Sequence, residues 1–466
     1  MGESFVTVSI SVFISLLLTF VCLPYFNELV HRNISSSQIN GNFLPYLLII
    51  TVVMTVLGGA YPALIISGFQ PIKVLKGSFK NTGKGLVLRK SLFVFQFAIS
   101  VFLITSAIVI QKQLFFIQHV KLGFDKDHVL ILPSDAVTQQ KSEALLAELK
   151  NCSGVVDASG AHFEPSAILG GYNMSKPGMA AGAALAINAG GIDQAYINTN
   201  QIQIISGENI TKKDIEETSH EDYTKNYFHF ILNESAAKQL GWTPQQAVGQ
   251  KMSLDETRPG IVKAVVKDFH FQSLHNPIKP LVLFPDNYAE KYLVRISGNN
   301  ITLTLAQLEK SWKSTIKHRP FEFTFQKDNY DAMYRNEIQL GKAVSVFTLI
   351  GIVLACLGLL GLSTYNIQQR TKEIGILKVI GAPIANIIVR LSKNFIWLVM
   401  ISIGIAVPLA MLTMHHWLQN FSYTTEVGTL TYIAAALISI AVTLLTLGFG
   451  SIKAALANPV KNLRTE

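Results

Sequence analysis

Six apolar stretches, each near the ~20 residues a helix needs to cross a bilayer, decide what this 466-residue chain can fold into. They lie at about residues 5–26, 43–66, 91–110, 343–362, 395–414 and 430–449, and none carries Asp, Glu, Lys or Arg at its centre. A helix at the edge of a soluble core keeps a polar stripe, whereas these are apolar all round over a bilayer's thickness. Only 15% of the residues are charged, against about 25% in soluble chains. The deficit sits at the two ends, while the middle has the composition of an ordinary soluble domain. The pattern is that of membrane spans flanking a folded module. The first stretch follows Met1-Gly2-Glu3, which lacks the positive region of a secretory signal, and no small-residue cleavage site follows it, so it reads as a retained span.

The formal charge of +9 is explained by where the cations lie. Between spans two and three stand Lys73, Lys76, Lys80, Lys84, Arg89 and Lys90 with no acid. Between spans four and five stand Arg370, Lys372, Lys378, Arg390 and Lys393 against Glu373. Lys453, Lys461 and Arg464 follow span six. The alternate short loops hold Arg32 alone or none at all. Positive loops mark the cytoplasmic side, so both termini are expected inside and residues 111–340 outside. Nucleic acid is not an expected partner. The lipid membrane is.

The outer segment mixes two periodicities. Val129-Leu130-Ile131-Leu132 and the run 261–266 are strand-like. Residues 142–149 and 305–316 carry helical spacing, and 233–241 reads as a short helix stopped by Gly241. The expected fold class is a membrane protein, an α-helical transmembrane bundle of six spans with an α+β extracytoplasmic (periplasmic) domain. Residues 328–342 are amphipathic and run into span four, and 111–120 leave span three in the same helical register. They fit a pair of stalk helices and, equally well, ordinary interfacial helix ends.

Pro71-Ile72-Lys73-Val74-Leu75-Lys76 after span two and Pro459-Val460-Lys461-Asn462-Leu463-Arg464 after span six share one pattern at equivalent places. Proline suits a first helical turn and the cations suit headgroups. Two matches at equivalent positions favour a duplicated unit, of which this chain carries about one and a half copies.

The stretch Arg370-Thr371-Lys372-Glu373-Ile374-Gly375-Ile376-Leu377-Lys378-Val379-Ile380-Gly381-Ala382 resembles the signature of the FtsX/MacB permease family. Tyr61-Pro62-Ala63 with Phe69-Gln70-Pro71, Val265-Val266-Lys267-Asp268-Phe269-His270-Phe271, and Ala454-Ala455-Leu456-Ala457-Asn458-Pro459 agree with it. The resemblance covers nearly the whole chain and implies the C-terminal part of a long duplicated permease. It divides the chain into 1–68 (the last two spans of a first unit), 69–90 (basic linker), 91–118 (span and stalk), 119–330 (MacB-like α+β domain) and 331–466 (stalk plus three-helix FtsX-like domain with a coupling loop at 367–394). It implies an ABC-type permease subunit in the bacterial inner membrane that turns ATP hydrolysis by a separate cytosolic ATPase into movement outside the membrane. The ATPase would use ATP and Mg, this chain binding no cofactor. A second permease copy or a missing first half, and a periplasmic protein, are the further partners it implies.

By the resemblance, Arg370, Lys372, Glu373, Ile374, Gly375, Leu377, Lys378, Gly381 and Ala382 would touch the ATPase. Helical spacing puts Ile374, Leu377 and Ile380 or Gly381 on one face, with the charged residues turned to water, headgroups or a partner. From the pattern alone, a basic membrane-surface anchor fits equally.

Several chemistries lack their residues. Gly83-Lys84-Gly85 has no Ser/Thr after the lysine, so there is no nucleotide-binding P-loop and no ATPase site. His270, His275 and Asp268 match no strong zinc spacing. There is no GxSxG elbow. The three cysteines suggest no pair. No span has the mid-depth ionisable residue that ion-coupled carriers need. Gly351, Ala355, Gly358 and Gly361 place small residues on span four, either to admit a close neighbour or as tolerated glycines.

Overall fold

The computed structural model describes residues 2–30, 34, 43–67, 83–180, 183–218, 225–369, 380 and 383–456. Three long helices come first: α1 (Gly2–Val30), α2 (Phe43–Ser67) and α3 (Gly83–His119). Then follow β1 (Val129–Pro133), α4 (Ala136–Gln139), α5 (Ser142–Lys150), β2 (Val155–Ala161), β3 (Gly171–Ser175), β4 (Leu185–Ile192), α6 (Tyr196–Thr199), β5 (Ile204–Gly207), α7 (Lys212–Glu216) and β6 (Phe228–Asn233). After them come α8 (Glu234–Gln239), α9 (Pro244–Ala247), β7 (Lys251–Leu254), β8 (Arg258–Val266), β9 (Leu281–Pro285), β10 (Lys291–Ile296), α10 (Ile301–Thr315), β11 (Thr324–Phe325) and α11 (Gln326–Ala332). Three long helices close the chain: α12 (Arg335–Gln369), α13 (Ile384–Leu418) and α14 (Thr429–Leu456). The chain forms two compact units. One comprises 1–114, 336–417 and 426–466; the other comprises 115–335 and 418–425.

In the first unit, five helices among the described residues are long and apolar enough to cross a membrane, within α1, α3, α12, α13 and α14. The sixth expected span lies in α2, whose apolar stretch among the described side chains is Leu44–Val56, shorter than a crossing. Phe93 and Phe97 of α3, Ala355 and Leu359 of α12, Phe395 and Val399 of α13, and Leu447 of α14 pack into one core. Helices α1 and α2 pack on each other. Small residues set the spacing of α3 and α12. A Cβ at Gly358 would come 2.8 Å from Gln96 Oε1, and one at Gly341 2.7 Å from Leu114 Cδ1. Gly351 faces Leu103, Ala355 is buried, and Gly361 has open space around it. Three of the four small residues on span four thus admit a neighbour and the fourth does not. With no hydrophobic drive between helices in lipid, such close approach and interhelical hydrogen bonds hold a bundle. Ser100 Oγ donates to Gly351 O at 3.0 Å, Thr348 Oγ1 to Leu103 O at 3.1 Å, Ser402 Oγ to Val94 O at 3.0 Å, and Lys112 Nζ to Thr431 Oγ1 at 2.8 Å.

The second unit is α+β, with two lobes built on one 11-stranded sheet system. Strands β4-β3-β7-β8-β6-β9 run in that order, and β9 pairs back to β4 in parallel, so these six close into a ring. Its inward residues include Met174, Ile187, Phe230, Leu232, Met252, Leu254, Val262, Val265, Val282 and Phe284, and Ala236, Ala237 and Leu240 of the α8 region join that core. Alternation in Arg258–Val266 buries Gly260 and Val262, as a period of two requires, and the register shift against β6 after Val262 brings Val265 into the same core. The other lobe is an open strip, β11-β1-β10-β2, packed on α5 and α10. Thr304, Leu308 and Trp312 repeat every four residues on α10 and are its buried stripe. The lobes share a single strand pairing between β2 and β4, Ala161 against Ile192.

Caps explain the short helices. Asn233 accepts from Ala236 N at the start of α8, Thr211 and Asp214 form a capping box on α7, and Thr243 and Gln246 form another on α9, where Pro244 takes the first turn. The segment 328–342, expected as one helix entering span four, is instead broken at Met333-Tyr334 between α11 and α12. Tyr330 and Tyr334 are both buried there, and their packing overrides the amphipathic pattern.

Candidate functional site

The residues expected to touch an ATPase fall in the connection between α12 and α13. That connection is shorter than the predicted 367–394, because α12 extends to Gln369 and α13 begins at Ile384. Residues 370–379, 381 and 382 lie outside the described residues, as do both copies of the basic motif, 71–76 and 459–464. Ile380 is described and its side chain is exposed.

Helix α3 ends at His119, five residues past the boundary at Leu114, and α12 begins at the boundary, at Arg335. Helix α3 has 37 residues and α12 has 35. At ~1.5 Å per residue each exceeds 50 Å, against about 30 Å of hydrocarbon. The outer end of α3 is capped by side chains. Lys126 Nζ donates to Gln118 O at 3.3 Å and Tyr330 Oη donates to Ile117 O at 3.2 Å, satisfying carbonyls that a helix end leaves free. The Lys126 ammonium also lies 4.0 Å from the centre of the Tyr330 ring, a cation–π contact. Burial lowers the Lys126 pKa, and Asp331 and Asp127 pull it back up. Burial raises the Asp331 carboxyl, which Lys126 partly offsets.

Arg295 of β10 fixes the loop that carries Lys126. Its Nη1 donates to Asp125 Oδ2 at 2.8 Å and its Nη2 to Asp125 O at 2.8 Å, while Nε reaches Thr199 O. None of these residues stands out in sequence. Asp125-Lys126-Asp127 has the look of a solvated charge run, and Arg295 that of an outward strand residue.

The motif Val265–Phe271 is structural. Phe269 and Phe271 are buried, and the Asp268 carboxylate accepts from Ser235 N at 3.0 Å and Ser235 Oγ at 2.6 Å. Burial lowers the His270 pKa, against Asp268. Among the described residues no group of three His, Cys, Asp or Glu side chains is placed to hold a metal ion. His162 pairs with Asp286 at 3.2 Å, and buried Glu164 accepts from Lys291 at 3.0 Å and Asn329 at 2.9 Å.

A cleft of about 360 Å³ opens between the two lobes of the outer unit, lined by Ser142, Glu143, Asp193, Lys212, Glu216 and Asp286 among others. Burial raises the Asp193 carboxyl to about 6, against hydrogen bonds from Gly160, Ala195 and Tyr196 that lower it. A raised folded pKa means the folded state holds the proton more tightly. The contribution of Asp193 to stability is therefore full below about pH 4, and is lost as pH rises through about 6. Asp193→Asn is expected to flatten this fall, so the thermal unfolding temperatures of wild type and variant should diverge in slope across that window. Parallel slopes would show that Asp193 does not titrate there.

A helical unit that spans a membrane and carries an α+β module outside it defines the class: a multi-pass membrane protein with an extracytoplasmic domain. The family model for the FtsX-like permease C-terminal domain matches residues 345–459, so that part of the chain is similar to FtsX-like permease domains. No curated protein matches the chain. Among solved structures, the periplasmic region of MacB from Actinobacillus actinomycetemcomitans is 15% identical with a TM-score of 0.33, covering 47% of this chain and 97% of that one. The extracellular domain of the noncanonic ABC-type transporter YknZ from Gram-positive bacteria is 12% identical with a TM-score of 0.30, covering 42% and 98%. A domain of a putative permease protein from Porphyromonas gingivalis is 14% identical with a TM-score of 0.29, covering 43% and 92%.

Proposed function

We propose that this chain is the permease subunit of an ABC-type machine in a bacterial inner membrane, and that a separate cytosolic ATPase binding ATP and Mg drives movement of its outer module, for export or envelope remodelling. The chain supplies no catalytic group. Six spans, both termini inside and the outer module outside follow from the cationic loops. A second permease copy would pair with this chain in the membrane, and the outer module would meet a periplasmic protein. The observation that carries the reading is helix α3, whose 37 residues exceed the thickness of the bilayer and whose last residues, 115–119, belong to the outer unit, with α12, also longer than the bilayer is thick, beginning at that unit's last residue, Arg335. A helix keeps its hydrogen bonds internal, so it is stiff enough to carry a displacement along its axis.

ATPase contact is assigned to the 370–382 connection, with Glu373 and Gly375 at its centre. The test is retention of candidate cytosolic ATPases from the source organism on the detergent-solubilised chain. The native chain is expected to retain one, and the Glu373→Lys, Gly375→Trp double variant to lose it while remaining folded and membrane-inserted. If the folded native chain retains none, coupling to ATP is wrong, and the chain is an ATP-independent membrane scaffold or receptor.

A further inference from the structure

The chain passes between its two units by three connections: out through α3 near 114, back through α12 near 335, and out and back again through the short loop Leu418–Thr425 between α13 and α14. Inside the outer unit, all three lead to one stretch, residues 268–278, which follows β8 and precedes β9. We propose that this stretch is the hub that makes the three connections move together, with His275 its central positioning residue. This rests on the mechanical reading above.

The outgoing connection arrives at Leu122 and Gly123. His270 N donates to Leu122 O at 2.8 Å. Gly123 has φ +87°, and a Cβ there would lie 2.6 Å from Phe269 Cβ, so this close approach requires glycine. The returning connection arrives at Tyr334, whose hydroxyl accepts from Leu274 N at 2.7 Å. The loop arrives at Phe421, Ser422 and Tyr423. Ser422 N and Tyr423 N donate to Leu274 O at 3.0 and 3.3 Å, Ser422 Oγ donates to His275 O at 2.9 Å, and Ile278 N donates to Tyr423 Oη at 3.3 Å.

Two features make this a joint rather than three separate contacts. Leu274, fully buried, gives its N–H to the returning connection and its carbonyl to the loop, so neither moves without disturbing the other. The His275 ring stacks on Phe421 at 4.2 Å and 26°, and faces Tyr334 at 6.0 Å and 18°, one aromatic plane shared by the same two connections. His270 adds an edge contact to Tyr423 at 4.5 Å. The hub is itself anchored to the closed ring of strands, since Asp268 is held by Ser235 and its N–H by Glu234 Oε2 at 3.0 Å.

The experiment uses the full chain in lipid nanodiscs, alone and with the ATPase it retains. In the chain alone, His275→Ala is expected to speed hydrogen exchange at the amides of Leu274, Ser422 and Tyr423 together by about tenfold, the scale of losing one aromatic pair with its packing, while Ile231 and Leu232 in the ring core stay protected. His275→Phe keeps a flat ring and is expected to restore protection. Unchanged exchange, or exchange that rises at Ser422 and Tyr423 but not at Leu274, overturns the hub. A rise everywhere that His275→Phe does not rescue also overturns it. With the ATPase bound, the native chain is expected to show a nucleotide-dependent change in exchange across 418–425, and His275→Ala to keep ATP hydrolysis but lose that change. Persistence of that change in the variant overturns the coupling role. If no ATPase binds the native chain, the functional reading fails, and exchange in the chain alone still decides whether the hub exists.

Discussion

Replacing Trp312 by alanine is expected to cost the outer unit about 3–5 kcal/mol, the range for removing a fully buried large aromatic. Trp312 has no exposed surface, it anchors the buried stripe of α10, and it packs with Leu130, Leu145, Leu149 and Phe321 in the core of the open lobe. Its Nε1 donates to Arg319 O at 3.3 Å, and that carbonyl would be left without this donor. The closed ring has a separate core, so the loss falls first on the open strip β11-β1-β10-β2. For a unit of this size, a few kcal/mol is a fall in unfolding temperature of about 10 °C. The check is thermal unfolding of the full chain in detergent, read by hydrogen exchange at Leu130 and Val294. A shift of about 1 °C or less would mean that this core is not organised around Trp312.

The second large effect is expected at Arg295. Arg295→Met should cost about 3 kcal/mol, because a guanidinium 5% exposed is replaced by a group that can donate to none of its partners. Asp125 is 37% exposed on its side chain and can be partly rehydrated, which keeps the cost from running higher. Arg295→Lys should recover only part of it, since an ammonium cannot reproduce the fork that meets both the carboxylate and the carbonyl of Asp125. Both variants should loosen the 123–128 loop and with it the Lys126 cap on α3, seen as faster exchange at Asp125 and Asp127. A native-like pattern in Arg295→Met would show that the loop is held by Lys126 and Tyr330 alone.

What could be read from sequence and what could not divides along a physical line. Lipid and water sort side chains by polarity alone, so the spans in α3, α12, α13 and α14 were legible from runs such as 343–362. Helix ends announced themselves through local chemistry. Asn233 before an alanine-rich turn and Gly241 after it mark α8 because the cap bonds are made within a few residues. Strands β1 and β8 were visible as β-branched runs. The closing pair of β4 with β9 was not, since Asn188 and Leu281 are partners only after the chain has travelled through four other strands.

The same line runs through the candidate site. The Val265–Phe271 motif was recognisable as a structural patch, yet its partners were not. Spacing along the chain could not show that Asp268 accepts from Ser235 or that His270 packs on Tyr423. Residues 328–342 looked like one helix, because an amphipathic period says nothing about whether a buried Tyr334 must turn its hydroxyl to the peptide of Leu274.

By itself, then, the sequence determined that this chain crosses a membrane several times, where those crossings fall and that a mixed α+β module lies between them, because partition between oil and water and the capping of short helices depend only on neighbours along the chain. The tertiary structure decided the rest: the closing of six strands into a ring, the fixing of the α3 end by Lys126, Tyr330 and Arg295, and the meeting of three connections along residues 269–278, two of them at Leu274 and His275. Each depends on hydrogen bonds or ring contacts between residues far apart in sequence, whose geometry exists only once the chain has packed.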